Sequence, residues 1–293
     1  MVCFDRVVVI FNPQSNGDAP KLAEELQAQL ARRLPGLKVA MKPTESAGHG
    51  RLLAREAAHV GRPLIVSVSG DGGYNEVVDG VMQAGNTDVI CAVMAAGNAN
   101  DHRRTTRRRP LVEAIVAGDV HAIDLLRVTT RIGPSAHVRY AHSYIGLGLT
   151  PIVAIDLEKG DKGSLKEIGS VIRTFSRFRP FMIELDDGTR PCFDSLVFAN
   201  IAQMAKYATL SDDGRPDDGQ FEVITLPHVA RWRILGTALK AATRGLGPQP
   251  STREYHFTTI KPLPIQIDGE VFHLDADAAV TIDIVPGALA TIG

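Results

Sequence analysis

The strongest constraint on this 293-residue chain is an alternation of buried-strand and helix patterns over its first ~125 residues. Val7–Phe11 is a continuous apolar run, the mark of a strand covered on both faces of a parallel sheet. Leu22, Leu26 and Leu30 then recur at helical spacing within Lys21–Leu34, and Pro35-Gly36 ends that helix. A short strand follows at Leu37–Met41. The next helix, Gly50–Val60, is expected to bury Leu52, Leu53, Ala57 and Val60. Leu64–Val68 and Val89–Met94 are further strands, each running into a glycine-bearing turn, with helices at Asn75–Met82 and Pro110–Val116.

Beyond residue 125 the texture changes to short β-rich segments: Ile123–Val128, His137–Tyr144, Phe181–Leu185, Ser195–Ala199, Phe221–Leu226, Tyr255–Ile260, Ile265–Ile267 and Val280–Val285. Turns such as Asp186-Asp187-Gly188 separate them. Helical patterns interrupt at Lys166–Phe178 and Val229–Thr243. The expected fold is therefore an α/β domain, residues 1–125, followed by an antiparallel β-sandwich or barrel, residues 126–275. With 32 Lys+Arg against 33 Asp+Glu, the chain is not a whole-surface nucleic-acid binder. Its longest purely apolar run, Val89–Ala96, is far below the ~18 residues of a membrane span. Cys3, Cys91 and Cys192 form neither a disulfide framework nor a zinc pattern, and no secretory signal is read at the N-terminus. A cytoplasmic location fits these features.

Chemistry concentrates where strands end. Ser69-Gly70-Asp71-Gly72-Gly73-Tyr74-Asn75-Glu76 lies between the third strand and its helix, where open α/β sheets bind ligands. Glycines let backbone N–H groups approach phosphate oxygens, and a helix N-terminus favours negative charge. Asp71 is no phosphate binder; it suits Mg²⁺ or a proton. The spacing is neither the Walker nor the dinucleotide pattern, and a tight turn capped by Asp71 is the plain alternative. The fourth strand ends in a similar way at Ala95-Ala96-Gly97-Asn98-Ala99-Asn100-Asp101, where a helix cap is the alternative. Two such turns on successive strands would open onto one crevice.

These residues resemble the diacylglycerol kinase catalytic-domain family of soluble lipid kinases, related to sphingosine and ceramide kinases. Asn12-Pro13-x-Ser15-x-Gly17 resembles its opening Asn-Pro-x-Ser-Gly loop, and Ser69–Gly80 its Gly-Gly-Asp-Gly-Thr-x-Asn-Glu-Val-x-Asn-Gly signature. Gly97–Asp101 is similar to its Gly-Thr-x-Asn-Asp signature and Asp268-Gly269-Glu270 to its late Asp-Gly-Glu motif. Ser69 and Gly73 replace the usual Gly and Thr of the first signature, Asn98 the usual Thr of the second, and Ala205-Lys206-Tyr207 stands where glycines are common. The resemblance implies a Rossmann-like N-terminal domain of the NAD kinase and diacylglycerol kinase type. It also implies an antiparallel C-terminal domain, and a tail from about Ala276 that returns to the first.

The activity implied is ATP- and Mg²⁺-dependent transfer of a phosphoryl group to the hydroxyl of diacylglycerol or a similar lipid, with ATP in a crevice between the domains. Nucleotide contacts fall on Asn12, Ser15, Gly70, Gly72, Gly73, Asn75, Glu76, Gly97, Asn98, Asp101 and Arg104. Asp71, Asp101 and Asp124 are similar to the family's aspartate–water–Mg²⁺ network. Asp124 interrupts an apolar strand, so it is either partnered or on a solvent-facing edge. Asp268 is implied as the general base, with Glu270 near the nucleotide metal; Asp71 is a competing assignment for the base. An Asp-Gly dipeptide also marks an ordinary hairpin turn. Asp217 and Asp218, with the Phe221 carbonyl, look like the family's acidic Mg²⁺ loop, Asp212 and Asp213 adding carboxylates; a solvated turn is the alternative.

Arg103, Arg104, Arg107, Arg108 and Arg109 crowd one stretch. Anionic headgroups are the expected contact, ahead of nucleic acid, which is not expected as a partner. Peripheral association with the inner membrane face and a lipid substrate follow; a homodimer is left open. Lys166–Phe178 has an amphipathic spacing suited to core packing or to a bilayer. Two other readings remain: a non-catalytic nucleotide- or lipid-binding protein, and a kinase of a soluble metabolite such as NAD.

Overall fold

The computed structural model describes residues 3–15, 18–96, 100–106, 109–148, 180–204, 208–211, 214–228 and 244–293. Two units divide the chain: Met1–Leu125 with Pro286–Gly293, and Leu126–Val285. The Lys166–Phe178 and Val229–Thr243 patterns lie outside the described residues.

The first unit holds β1 (Arg6–Phe11), α1 (Ala19–Arg33), β2 (Lys38–Pro43), α2 (His49–Ala58), β3 (Pro63–Ser69), α3 (Asp71–Ala84), β4 (Ile90–Ala95), α4 (Asp101–Thr106), α5 (Leu111–Ala117) and the start of β5 (Val120–Ile132). Val7, Val9, Leu64, Val66 and Ala92 are buried in one core with Leu26 and Leu30 of α1 and Ile115 of α5. β1 pairs in parallel with β2 and β3, and β3 in parallel with β4. Helices cover such a sheet, which is why its strands read as apolar runs and not as alternations.

Three local expectations need correction. α2 does not bury Leu52 and Val60, which are exposed. Its buried residues are Gly50, Ala54 and Ala58, because α3 crosses too closely for larger ones. A Cβ at Gly80 of α3 would fall inside contact distance of the Arg51 carbonyl. α3 also begins at Asp71 and not at Asn75, so the glycines form its first helical turn, entered through extended Gly70. α4 was not expected from periodicity.

The second unit holds β6 (Ser135–Ala141), β7 (Tyr144–Gly148), β8 (Phe181–Glu184), β9 (Cys192–Ala199), the short β10 (Gln203–Met204) and β11 (Ala208–Thr209), β12 (Phe221–Pro227), β13 (Ser251–Thr252), β14 (Glu254–Thr259), β15 (Leu263–Ile267), β16 (Glu270–Leu274) and most of β17 (Ala279–Ile292). Pairing among them is antiparallel, as in β15 with β7 and β7 with β9. Ile145, Phe198, Phe257, Ile265 and Ile282 share one apolar core. The expected run His137–Tyr144 is two strands, broken at His142-Ser143. The tail returns at Pro286, later than Ala276. β17 first pairs with β14 over Ala279–Asp283, and only its last residues, Ala290–Ile292, pair in parallel with β4.

Candidate active site

Parallel pairing of β3 and β4 puts their C-terminal ends side by side, Ser69 opposite Ala95, and the Ala96 N–H donates to the Ser69 carbonyl at 2.9 Å. The heads of α3 and α4 therefore emerge from one edge. Asp71 at the start of α3 accepts hydrogen bonds from the backbone N–H groups of Asp101 (3.0 Å) and His102 (3.2 Å). Its carboxylate caps α4, satisfying donors that the helix leaves open and opposing its positive end. Asp101, fully buried, accepts from Arg104 at 2.6 Å. Two carboxylates from separate motifs thus meet at two helix N-termini.

Beside them lies a cavity of about 410 Å³, within the range of small-ligand sites. Asn12, Gln14, Thr44, Ser67, Ser69, Gly73 and Glu76 are among its lining residues. Asn12 accepts from the Gln14 N–H at 2.9 Å, a turn that bends the chain after β1 along the cavity wall. The buried hydroxyl oxygen of Ser15 has no hydrogen-bond partner. A buried polar atom of this kind is costly unless a ligand or water meets it.

Much of the first signature serves packing. Glu76 accepts from the Gly48 N–H at 2.7 Å, fixing the turn that leads into α2. Asp79, buried, takes the Arg51 guanidinium at 2.7 Å. Gly80 is the close approach of α2 and α3. Glu76, Asp79 and Gly80 hold α2 against α3 and keep Thr44–Gly50 as a wall of the cavity. Asn75 is buried; Gly70 and Gly72 frame the entry to α3.

Asp124, far from a solvent-facing edge, is buried and accepts from the Gly287 N–H at 2.7 Å. This bond ties the returning tail to β5. The three described arginines of the stretch 103–109 are engaged within the chain. Arg103 is buried and donates to the Arg109 carbonyl at 3.0 Å, Arg104 pairs with Asp101, and Arg109 pairs with Asp119 at 2.8 Å. Arg107 and Arg108, like Gly97 and Asn98, lie outside the described residues.

In the second unit, Asp268 and Gly269 both have positive φ, +46° and +96°, as a two-residue hairpin turn between paired Ile267 and Glu270 requires. The ordinary-turn reading of Asp-Gly is correct as far as the backbone goes, but the Asp268 side chain does more. It is fully buried, and its carboxylate accepts from the N–H groups of His142 (2.7 Å), Ser143 (3.0 Å) and Tyr144 (2.9 Å). His142 Nε2 lies 3.4 Å from the same carboxylate, and His142 Nδ1 is 2.8 Å from the Ser143 hydroxyl. The N–H groups at the break between β6 and β7 thus turn to a side chain and not to a strand. No local pattern announces a bond spanning more than 120 residues. Glu270 begins β16, half-buried.

The described residues of the acidic loop make contacts within the loop. Asp217 lies 3.5 Å from Arg215, Asp218 accepts from the Gln220 N–H at 3.0 Å, and Phe221 is a core residue. Asp212, Asp213 and Ala205-Lys206-Tyr207 lie outside the described residues. Among the described residues no group of three or more His, Cys, Asp or Glu side chains is placed to hold a metal ion, so Asp71, Asp101 and Asp124 do not form a ready cage. No helix among them is long and apolar enough to cross a membrane.

Residues 6–128 match the diacylglycerol kinase catalytic domain. Over these residues the chain carries a diacylglycerol kinase catalytic domain. It is similar to a Chromohalobacter salexigens protein named "Probable lipid kinase YegS-like", 26% identical over 94% of this chain and 90% of the relative. A "Diacylglycerol kinase" of Staphylococcus aureus is 23% identical over 90% of this chain and 86% of its own. The crystal structure of a diacylglycerol kinase from Bacillus anthracis shares the fold, with a TM-score of 0.72 at 19% identity, covering 99% of this chain and 97% of that one. By that domain the chain is an enzyme of the lipid kinase class, transferring phosphate to an alcohol group.

Proposed function

We propose that this kinase moves the terminal phosphoryl group of ATP to the hydroxyl of diacylglycerol or a similar glycerolipid, with Mg²⁺. The observation that carries the nucleotide half is the corner where β3 and β4 end. The glycine-bearing turn into α3, two helix N-termini and a cavity occur together there. Phosphoryl transfer is mostly positioning and charge neutralisation, which such a corner can supply. Asn12, Ser15, Gly70, Gly72, Gly73, Asn75, Gly97 and Asn98 would surround the nucleotide, with Glu76 and Arg104 holding the walls.

Mg²⁺ in kinase sites is held by one or two carboxylates together with substrate phosphates and waters, so the absence of a three-ligand cage does not conflict with it. Asp71 and Asp101 fit that donor set, and Asp124 is the third carboxylate assigned to it. When bound, the ion neutralises charge on the transferring phosphates. Asp217 and Asp218, with the Phe221 carbonyl, would hold a structural ion.

For the lipid hydroxyl we assign Asp268 as base, with Glu270 beside it. The burial of Asp268 favours a second reading, in which half-exposed Asp71 takes the proton. The lipid would be met at the inner membrane face by a cytoplasmic enzyme. The test is radiolabelled ATP with a panel of lipids in mixed micelles, with sphingosine and NAD as competing acceptors. Label in phosphatidic acid that disappears with EDTA supports the reading. ATP binding without any labelled lipid would show a non-catalytic protein, and label in NADP a metabolite kinase.

A further inference from the structure

Two of the positions at which the first signature departs from its family pattern, Ser69 and Gly73, are coupled in the structure. Gly73 sits in the first turn of α3, at an exposed position with ordinary helical geometry. Glycine there costs roughly 1 kcal/mol against alanine, and no backbone requirement calls for it. The reason lies across the turn. A Cβ at residue 73 would lie 2.7 Å from the Ser69 Cβ and 2.8 Å from its hydroxyl oxygen. Ser69 and a side chain at 73 therefore exclude one another. The Ser69 hydroxyl stands where a hydroxyl carried by residue 73 would begin.

That hydroxyl is oriented. Ser67 and Ser69 are two apart on β3, so both point to one face, and both line the cavity. Their oxygens are 2.7 Å apart, and Ser69 donates onward to the Gly70 carbonyl at 3.0 Å. Ser69 has one proton, so Ser67, almost fully buried, must be the donor to Ser69. Ser67 supplies the proton that Ser69 accepts, and the Ser69 proton rests on the Gly70 carbonyl. A phosphate oxygen only accepts, and rotating that proton from the Gly70 carbonyl to such an oxygen needs no other change.

We propose that Ser69, aligned by Ser67, is the hydroxyl donor to a nucleotide phosphate in this enzyme, replacing one that position 73 would carry. The inference rests on the proposed ATP site and names the group that reads its phosphates. A hydrogen bond to a charged acceptor contributes about 1.5–3 kcal/mol, so its loss is a change of tenfold or more in affinity.

The test is calorimetric binding of ATP and of adenosine to the full chain and to Ser69→Ala, Ser69→Gly, Gly73→Thr and Ser69→Gly/Gly73→Thr, with thermal melting of each without ligand. Ser69→Ala is expected to weaken ATP at least about tenfold and adenosine less than twofold. Gly73→Thr alone should melt earlier than the natural chain, and the double variant should recover both melting and ATP affinity to within about threefold. If Ser69→Ala binds ATP like the natural chain, or the double variant binds it no better than Ser69→Gly, the inference is wrong while the ATP site stands. If the natural chain binds no ATP, the functional reading fails as well. Should Ser69→Ala not fold, the paired variants decide.

Discussion

Replacing Asp268 with alanine removes more than a catalytic candidate. The Asp268 carboxylate is the acceptor for three successive buried backbone donors, at 2.7, 3.0 and 2.9 Å. Each orphaned donor costs about 1–3 kcal/mol, and water entering the vacated space recovers part of that. A net loss of about 3–5 kcal/mol is expected, a large share of the ~5–15 kcal/mol that holds a domain together. For a unit of this size each kcal/mol lowers the melting temperature by about 2–4 °C, giving a drop of about 6–20 °C. Asp268→Asn is milder. Its amide oxygen can still accept from Ser143 and Tyr144, while its amide nitrogen opposes only the His142 N–H, a loss of about 1–3 kcal/mol. The assay is thermal melting combined with hydrogen exchange of a peptide spanning residues 141–146. Asp268→Ala should lose protection at residues 142–144, and Asp268→Asn should keep most of it at 143 and 144. An Asp268→Ala protein that melts within 2 °C of the natural chain with those amides still protected would refute the reasoning. Lost activity in Asp268→Ala therefore says little about a base; Asp268→Asn is the variant that separates chemistry from scaffolding.

Other outcomes follow from the same geometry. Asp71→Ala removes the side-chain cap of α4, worth about 1 kcal/mol, so it should melt near normally while phosphoryl transfer is lost; a large melting shift would show a scaffold role instead. Gly80→Ala gains about 1 kcal/mol of helix propensity yet should destabilise by about 1–3 kcal/mol net in urea, because α2 must move off α3; an equal or higher stability would mean the helices are not in close contact. Burial on β4 pushes the Cys91 thiol up to about 12, so the folded chain should react with a thiol reagent at exposed Cys3 and not at Cys91. Because that thiol is raised above its ordinary value, its stabilising effect is complete below about pH 9 and is lost as pH climbs toward 12. A Cys91→Ala variant should show a flatter decline over that range in alkaline denaturation, and an identical decline would contradict it.

The parallel sheet was legible because strands buried on both faces leave continuous apolar runs, as Val7–Phe11 does. α2 misled for the opposite reason. Its contact face is Gly50, Ala54 and Ala58, which apolar periodicity weighs less than Leu52 and Val60, although small residues are what a close helix crossing needs. α4 has no apolar stripe; the Asp71 carboxylate caps its head from the end of another strand, which no window along the sequence contains. The motifs located the β3–β4 corner, but not the division of labour inside it. Glu76, Asp79 and Gly80 bind α2 to α3, and only the three-dimensional contacts separate that work from ligand binding. The partners of Asp268 were illegible for the same reason, since its turn and the His142–Tyr144 break are joined only in the folded chain.

A crystal structure of the chain with a non-hydrolysable ATP analogue and Mg²⁺ decides where the nucleotide sits. The nucleotide is expected in the cavity lined by Asn12, Ser69, Gly73 and Glu76, its phosphates toward the head of α3 and its metal on the side of Asp71. A nucleotide bound elsewhere, with that cavity empty and Asp71 remote from the phosphates, would contradict this placement.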